Sequence, residues 1–174
     1  MAWNTRIDAG WVTIDISPSP EVIHSDIRNI GQEFKTFRTP LRESVRDVMV
    51  PSIDTNFAVG GRPPWQPLGE QTVERRTRQG TGTQILVESG SLRRSATQFS
   101  RWNIGTDSAE ISNWPQRDLV KAAVHEGGAT VRTKLGISNI PARPFLLIQD
   151  EDAARIDEIF LDWMESRARR WWNR

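Results

Sequence analysis

Nine residues near the middle of the chain, Gly60-Gly61-Arg62-Pro63-Pro64-Trp65-Gln66-Pro67-Leu68, exclude regular structure there. Three prolines within five residues fix φ and remove backbone donors, and the two preceding glycines reach conformations that other residues avoid. Trp65 sits inside this stiff loop. Its position is set at low entropic cost, so its large ring is presented either to the core or to a partner. A second segment follows, Ile85-Leu86-Val87-Glu88-Ser89-Gly90-Ser91-Leu92-Arg93-Arg94-Ser95. It reads as a short apolar run, a turn at Ser89-Gly90, and a short capped helix that starts near Leu92.

The flanking sequence is mostly legible as periodic elements. Trp11 to Ile16 alternates and is β-branched, which predicts a strand. Ser19 and Pro20 then have the chemistry of a helix cap and first helical residue. Apolar residues at Ile23, Ile27, Ile30, Phe34, Phe37, Leu41, Val45 and Val48 mark one face of a long helix. Thr39-Pro40 either kinks that helix or caps a second one, and Pro51 is read as its end. Residues 52–82 are read as mostly irregular, with a short helix over Val73–Arg78 capped by Thr72. Residues 69–84 form an expected mobile loop, because Gln79–Thr83 has nothing apolar to pack. Thr97–Ile104 and Ser108–Trp114 are expected strands joined by a hairpin turn at Gly105-Thr106-Asp107. Leu119–His125 is a third strand or a short helix; its pattern does not decide. A final amphipathic helix starts near Asp150, read as its cap, with Ala153, Ile156, Ile159, Phe160, Trp163 and Met164 on its apolar face.

Two further segments matter for identity. One is Ala122-Ala123-Val124-His125-Glu126-Gly127-Gly128. The other is Ile140-Pro141-Ala142-Arg143-Pro144-Phe145-Leu146, in which two prolines hold Arg143 on an extended backbone and aim its guanidinium. Such an arginine pairs with a carboxylate or with backbone carbonyls to fix a loop, or it contacts another subunit.

In family order, these four segments resemble the phage virion morphogenesis family, which includes Mu-type morphogenesis proteins and tail-completion proteins of contractile-tailed phages. The resemblance rests on the Pro-Pro-Trp-x-Pro-Leu loop, the Leu-x-x-Ser-Gly-x-Leu-x-x-Ser segment, the Ala-x-x-His-x-x-Gly-like segment and the Pro-Ala-Arg-Pro-Phe segment. It implies a structural protein of the head–tail junction, acting in tail completion or head–tail joining. It also implies a homo-oligomeric ring, commonly hexameric, through which DNA passes without sequence-specific binding. Other neck or tail proteins would be its neighbours, and the virion its location after assembly in the host cytoplasm. The loop and interface candidates are Arg62, Pro64, Trp65, Leu68, Leu92, Arg93, His125, Arg143, Phe145, Trp163, Trp171 and Trp172. The expected fold is a single α+β domain over residues 1–174. An antiparallel sheet carries the long N-terminal helix and the C-terminal helix, and residues 167–174 form a tail.

Composition narrows the chemistry. With no cysteine, and His24 as the sole companion of His125, neither thiolate nor His-rich metal sites are expected. No nucleotide-binding, nucleophile-elbow or zinc-protease motif is present. His125 and Glu126, if neighbours in a strand, point to opposite faces and form no dyad. No catalytic residue, cofactor or membrane association is therefore expected. Charge is segregated: seven arginines against three acids between Arg62 and Arg101, then seven acids against Arg155 alone between Asp150 and Glu165. The last eight residues hold four arginines and no acid beside Trp171-Trp172. This C-terminal end is either a frayed tail or an assembly device. The alternative function is a non-enzymatic nucleic-acid binder that uses these Arg- and Trp-rich segments, with Arg75, Arg76 and Arg78 on a solvated loop as the plainer account.

Overall fold

The computed structural model describes residues 5–8, 13–16, 20–112, 114–133 and 136–172. The chain opens with an antiparallel hairpin, β1 (Thr5–Asp8) and β2 (Thr13–Ile16), with Thr5 opposite Ile16. Trp11, Val12 and the expected cap Ser19 lie outside the described residues. Helix α1 (Pro20–Glu33) follows, then α2 (Arg38–Ser44), a wide π turn (Val45–Met49) and α3 (Val50–Val59).

The long N-terminal helix is thus broken, and the break precedes Pro40. A proline ring clashes with the carbonyl four residues back and cannot donate to it. For Pro40 that carbonyl belongs to Thr36, so the helix opens at residues 34–37, and Pro40 lies buried in the first turn of α2. There its missing N–H has no helical partner to lose. Aromatic packing holds the opened segment. Phe34 meets Trp163 edge-on with ring centroids 5.5 Å apart, and Phe37 lies 5.9 Å from Phe160 and 5.7 Å from Trp163.

Pro51 does not end the element, contrary to expectation. Val50 N–H bonds the Val45 carbonyl, closing a five-residue ladder step, and the helix runs on through Pro51 in the first turn of α3. Helix α3 continues to Val59 and stops at Gly60, whose φ of 82° is left-handed. Residues 52–59 are therefore helical rather than irregular, and Ile53 and Phe57, fully buried, occupy one face four residues apart.

Helix α4 (Glu70–Arg78) is longer than the predicted Val73–Arg78 piece and is capped by Gly69, not Thr72. The 79–81 backbone closes its end, with Thr81 N–H on the Arg76 carbonyl at 2.9 Å. Helix α5 (Ser91–Ala96) follows Gly90, as the sequence pattern predicts. Residues 97–101 finish α5 and form a 3-10 turn instead of a strand. The expected hairpin is present but shorter: β3 (Trp102–Ile104) pairs with β4 (Ala109–Ile111), closed by Gly105 N–H on the Ser108 carbonyl. Leu119–His125 belongs to a helix, α6 (Gln116–Gly127). A further hairpin, β5 (Ala129–Thr133) with β6 (Gly136–Ile140), precedes α7 (Asp150–Trp172).

The class is α+β, with a C-terminal helix as expected. The described strands are distributed over three separate two-stranded antiparallel ribbons. Helices pack mainly on helices: α7 lies along α2 and the π turn, α3 meets α5, and α5 meets α6. The core cluster joins Ile53, Phe57, Trp65, Leu86, Leu92 and Phe145 with Ala96 and Ala122. Ala153, placed on the apolar face of α7 by its periodicity, is exposed.

Candidate assembly site

The four motif segments converge on one place in the fold. The Gly60–Leu68 loop leaves α3 and turns back on itself. Gly60 and Gly61 both donate to the Asn56 carbonyl, and Trp65 N–H donates to the Gly60 carbonyl at 2.7 Å. Gly61 has φ 99°, and a Cβ there would lie 2.5 Å from the Trp65 indole, so the ring rests directly on the glycine backbone. Trp65 is only 6% exposed. Its ring meets Phe57 edge-on at 5.9 Å, and its Nε1 donates to the Pro144 carbonyl at 2.8 Å. The stiff loop therefore presents its tryptophan inward.

The Pro141–Phe145 segment is the other half of the clasp. Arg143 is 5% exposed. Its Nε and Nη2 donate to the Gln66 and Pro67 carbonyls at 3.0 and 3.1 Å, so the aimed guanidinium fastens the first loop by its backbone. Arg143 N–H in turn donates to the His125 carbonyl at 2.6 Å. The Glu126 carboxylate accepts the N–H groups of Phe145 and Leu146 at 2.9 and 3.0 Å. His125 and Glu126 are consecutive residues of a helix end, not of a strand, and both engage the same backbone. Phe145 is fully buried against Phe57, ring centroids 5.1 Å apart.

A buried polar chain extends the clasp to α7. Asn56, with no exposed surface, donates to the Phe145 carbonyl at 3.1 Å and accepts from Arg62 Nε at 2.8 Å. Arg62 also reaches the Ser52 carbonyl at 3.1 Å and Glu151 at 2.7 Å. Ser52 Oγ donates to Asp152, which also accepts Gln149 N–H at 3.0 Å. Asp152 thus reaches back three residues to close the start of α7, the role that sequence gave to Asp150. Asn56, Ser52, Glu126 and Asp152 are absent from the sequence-derived candidates. The sole signal was position: Asn56 lies on the helix face between Ile53 and Phe57.

The remaining candidates lie around this clasp. Leu92 is in the core, and Arg93 holds Asp54 through two bonds of 2.7 and 2.8 Å, keeping that carboxyl below its ordinary range. Pro64 is exposed, and Leu68 is half-buried. Trp163 is buried under Phe34 and Phe37, with the Arg167 guanidinium 5.4 Å from its ring centre. The side chains of Trp171 and Trp172 lie outside the described residues, although the α7 backbone runs through Trp172. Arg76, expected on a solvated loop, is 7% exposed and donates to the Gly82 and Gln84 carbonyls. Asp118 joins α5 to α6 by accepting from Ser91 and Ser95 at 2.9 and 2.7 Å. Burial pushes its carboxyl up, but these hydroxyls and Lys121 outweigh burial and hold it below the usual range.

Histidine 125 is half-buried. Burial, then the charges of Arg143, Arg76 and Lys121, push its imidazole below the ordinary histidine range. Among the described residues no group of three or more His, Asp or Glu side chains could hold a metal ion. No described helix is long and apolar enough to cross a membrane.

The sequence profile of the phage virion morphogenesis family matches residues 22–165, a span that contains the whole clasp. The chain is 31% identical over 154 residues to the "Mu-like prophage FluMu G protein 2" of Haemophilus influenzae, covering 88% of this chain and 96% of that one. It is 26% identical over 118 residues to an uncharacterised protein of Methanocaldococcus jannaschii, covering 66% of this chain and 80% of that one. No solved structure matches. A family profile spanning most of the chain, with a relative matched nearly end to end, leads to one conclusion: this chain belongs to the phage virion morphogenesis family.

Proposed function

We propose that the protein is a non-enzymatic structural component of the head–tail junction, acting in tail completion or head–tail joining as a homo-oligomeric ring around the DNA channel. Six copies is the expected ring size. Neck or tail proteins are its other partners, DNA passes through without sequence readout, and the mature location is the virion after assembly in the host cytoplasm. The observation that carries this reading is what the motif residues do. Trp65, Arg143, Phe145, Glu126 and Asn56 bond to one another's segments and build a rigid clasp. None is arranged as a nucleophile beside a base. A part built to hold shape in a multi-copy assembly calls for such a clasp. The nucleic-acid reading has less support, because Arg75 and Arg76 are tied to Glu88 and Arg93 to Asp54 within the chain.

Two measurements test the reading. Light scattering of the purified chain should give a multiple of its 19.8 kDa mass. A phage lacking the gene should accumulate filled heads and tails that do not join, and complementation should restore joined particles. A monomer at all concentrations, or normal particles without the gene, would overturn it.

A further inference from the structure

A cavity of about 490 Å³ opens between α4, α5, α6 and the Arg143 segment. Four cationic side chains, Arg76, Arg117, Lys121 and Arg143, line it together with His125, against one carboxylate, Glu88. That carboxylate is already shared between Arg75 at 2.7 Å and Arg76 at 3.4 Å. Lys121 is balanced by Asp118, but Arg143 and Arg117 form no ion pair among the described residues. Two buried donor or acceptor atoms on lining residues, Arg76 Nε and His125 Nδ1, have no hydrogen-bond partner among the described residues. Buried positive charge without a counter-charge is costly and keeps affinity for an anion.

Shape separates the candidate anions. A nucleic-acid backbone needs cations spaced along an open track. Here Arg76 and Arg143 are buried, Lys121 and His125 are half-buried, and among these lining residues only Arg117 is exposed. Carboxylates on a protein surface can address such a rim, and this chain supplies them. Helix α7 carries seven acids between Asp150 and Glu165, and it takes no part in lining the cavity. Glu151, Glu158 and Glu165 are held by arginines of the same chain, whereas the exposed Asp157 and Asp162 form no ion pair among the described residues.

We propose that this cavity receives the acidic face of α7 from a second copy of the chain, the face that carries Glu158, Asp162 and Glu165, with the unpaired Asp162 facing Arg117 and the cations behind it. The contact is head-to-tail: one copy gives the cavity and the next gives the helix, so repetition generates a closed ring or a filament. The inference rests on the ring reading above and names the surfaces that would make it.

Charge exchange tests it with the full-length protein. Arg117→Glu and Asp162→Arg should each weaken self-association by about tenfold, with unchanged thermal melting. Combining both in one chain, or mixing the two variant proteins, should restore association. If the wild type never self-associates, the ring reading falls and this inference with it. If the wild type associates and Arg117→Glu associates equally well, or the exchange does not rescue, this inference alone is overturned. Duplex DNA bound by wild type and lost in Arg117→Glu, with self-association intact, would overturn it in favour of a nucleic-acid site.

Discussion

The Trp65 indole nitrogen donates to the Pro144 carbonyl at 2.8 Å, joining two proline-rich segments that lie 79 residues apart. Arg143 makes the reciprocal link, from the second segment to carbonyls of the first. Each segment thus holds the other's backbone, and proline rigidity limits the entropy lost in doing so.

Truncating the anchor should collapse this arrangement. Trp65→Ala is expected to cost about 3–5 kcal/mol in denaturant unfolding, as for other large buried aromatics. Trp65→Phe should cost less, since it loses the hydrogen bond but keeps most of the ring. Unchanged unfolding with lost assembly would instead make Trp65 a contact between subunits.

Arg143→Lys keeps the charge and loses the fork. An ammonium cannot reproduce the paired bonds to Gln66 and Pro67. A loss of about 1.5–3 kcal/mol is expected, the range for hydrogen bonds to charged groups. Faster proteolysis between Gly60 and Leu68 should accompany it, read by mass spectrometry of the fragments.

Stability should fall on mild acidification because of His125. Its folded-state pKa is depressed, so the unfolded chain binds the proton first. The contribution is complete above the unfolded value of about 6.5. It is lost as pH falls from there through the folded value. His125→Gln should flatten the melting temperature across that window while leaving more acidic pH, where carboxyls such as Asp118 titrate, as steep as before. An unchanged slope between neutral and mildly acid pH would refute the assignment.

Removing Trp171–Arg174 should leave thermal stability nearly intact, because the described contacts of α7 with the core are made upstream, through Phe160 and Trp163. The same truncation is expected to prevent oligomerisation or the joining of heads to tails. Complementation at the normal level would make these residues dispensable.

The parts of the fold that sequence revealed are those where one residue type has one physical meaning. Prolines around Trp65 and Arg143 announced two stiff segments, and the spacing from Ile156 to Trp163 announced α7. Helix α3 was hidden because Pro51 reads as a stop, and a single sequence does not show the π turn that accommodates it. The β5–β6 hairpin was hidden because most of its described residues are exposed, so no alternation marks a buried face. Asn56, Glu126 and Arg76 were missed for a common reason. A polar residue satisfied inside a protein has the same letter as one in water, and only the backbone groups it meets set it apart.

The π turn at Val45–Met49 has a consequence for variation in the gene. Each residue rotates a helix by about 100°. An in-frame loss of one codon within that turn would leave the chain helical, yet swing Ile53 and Phe57 away from the centre they now fill. Length in the π turn is therefore fixed, and phage relatives that keep Ile53 and Phe57 in the core should keep its length.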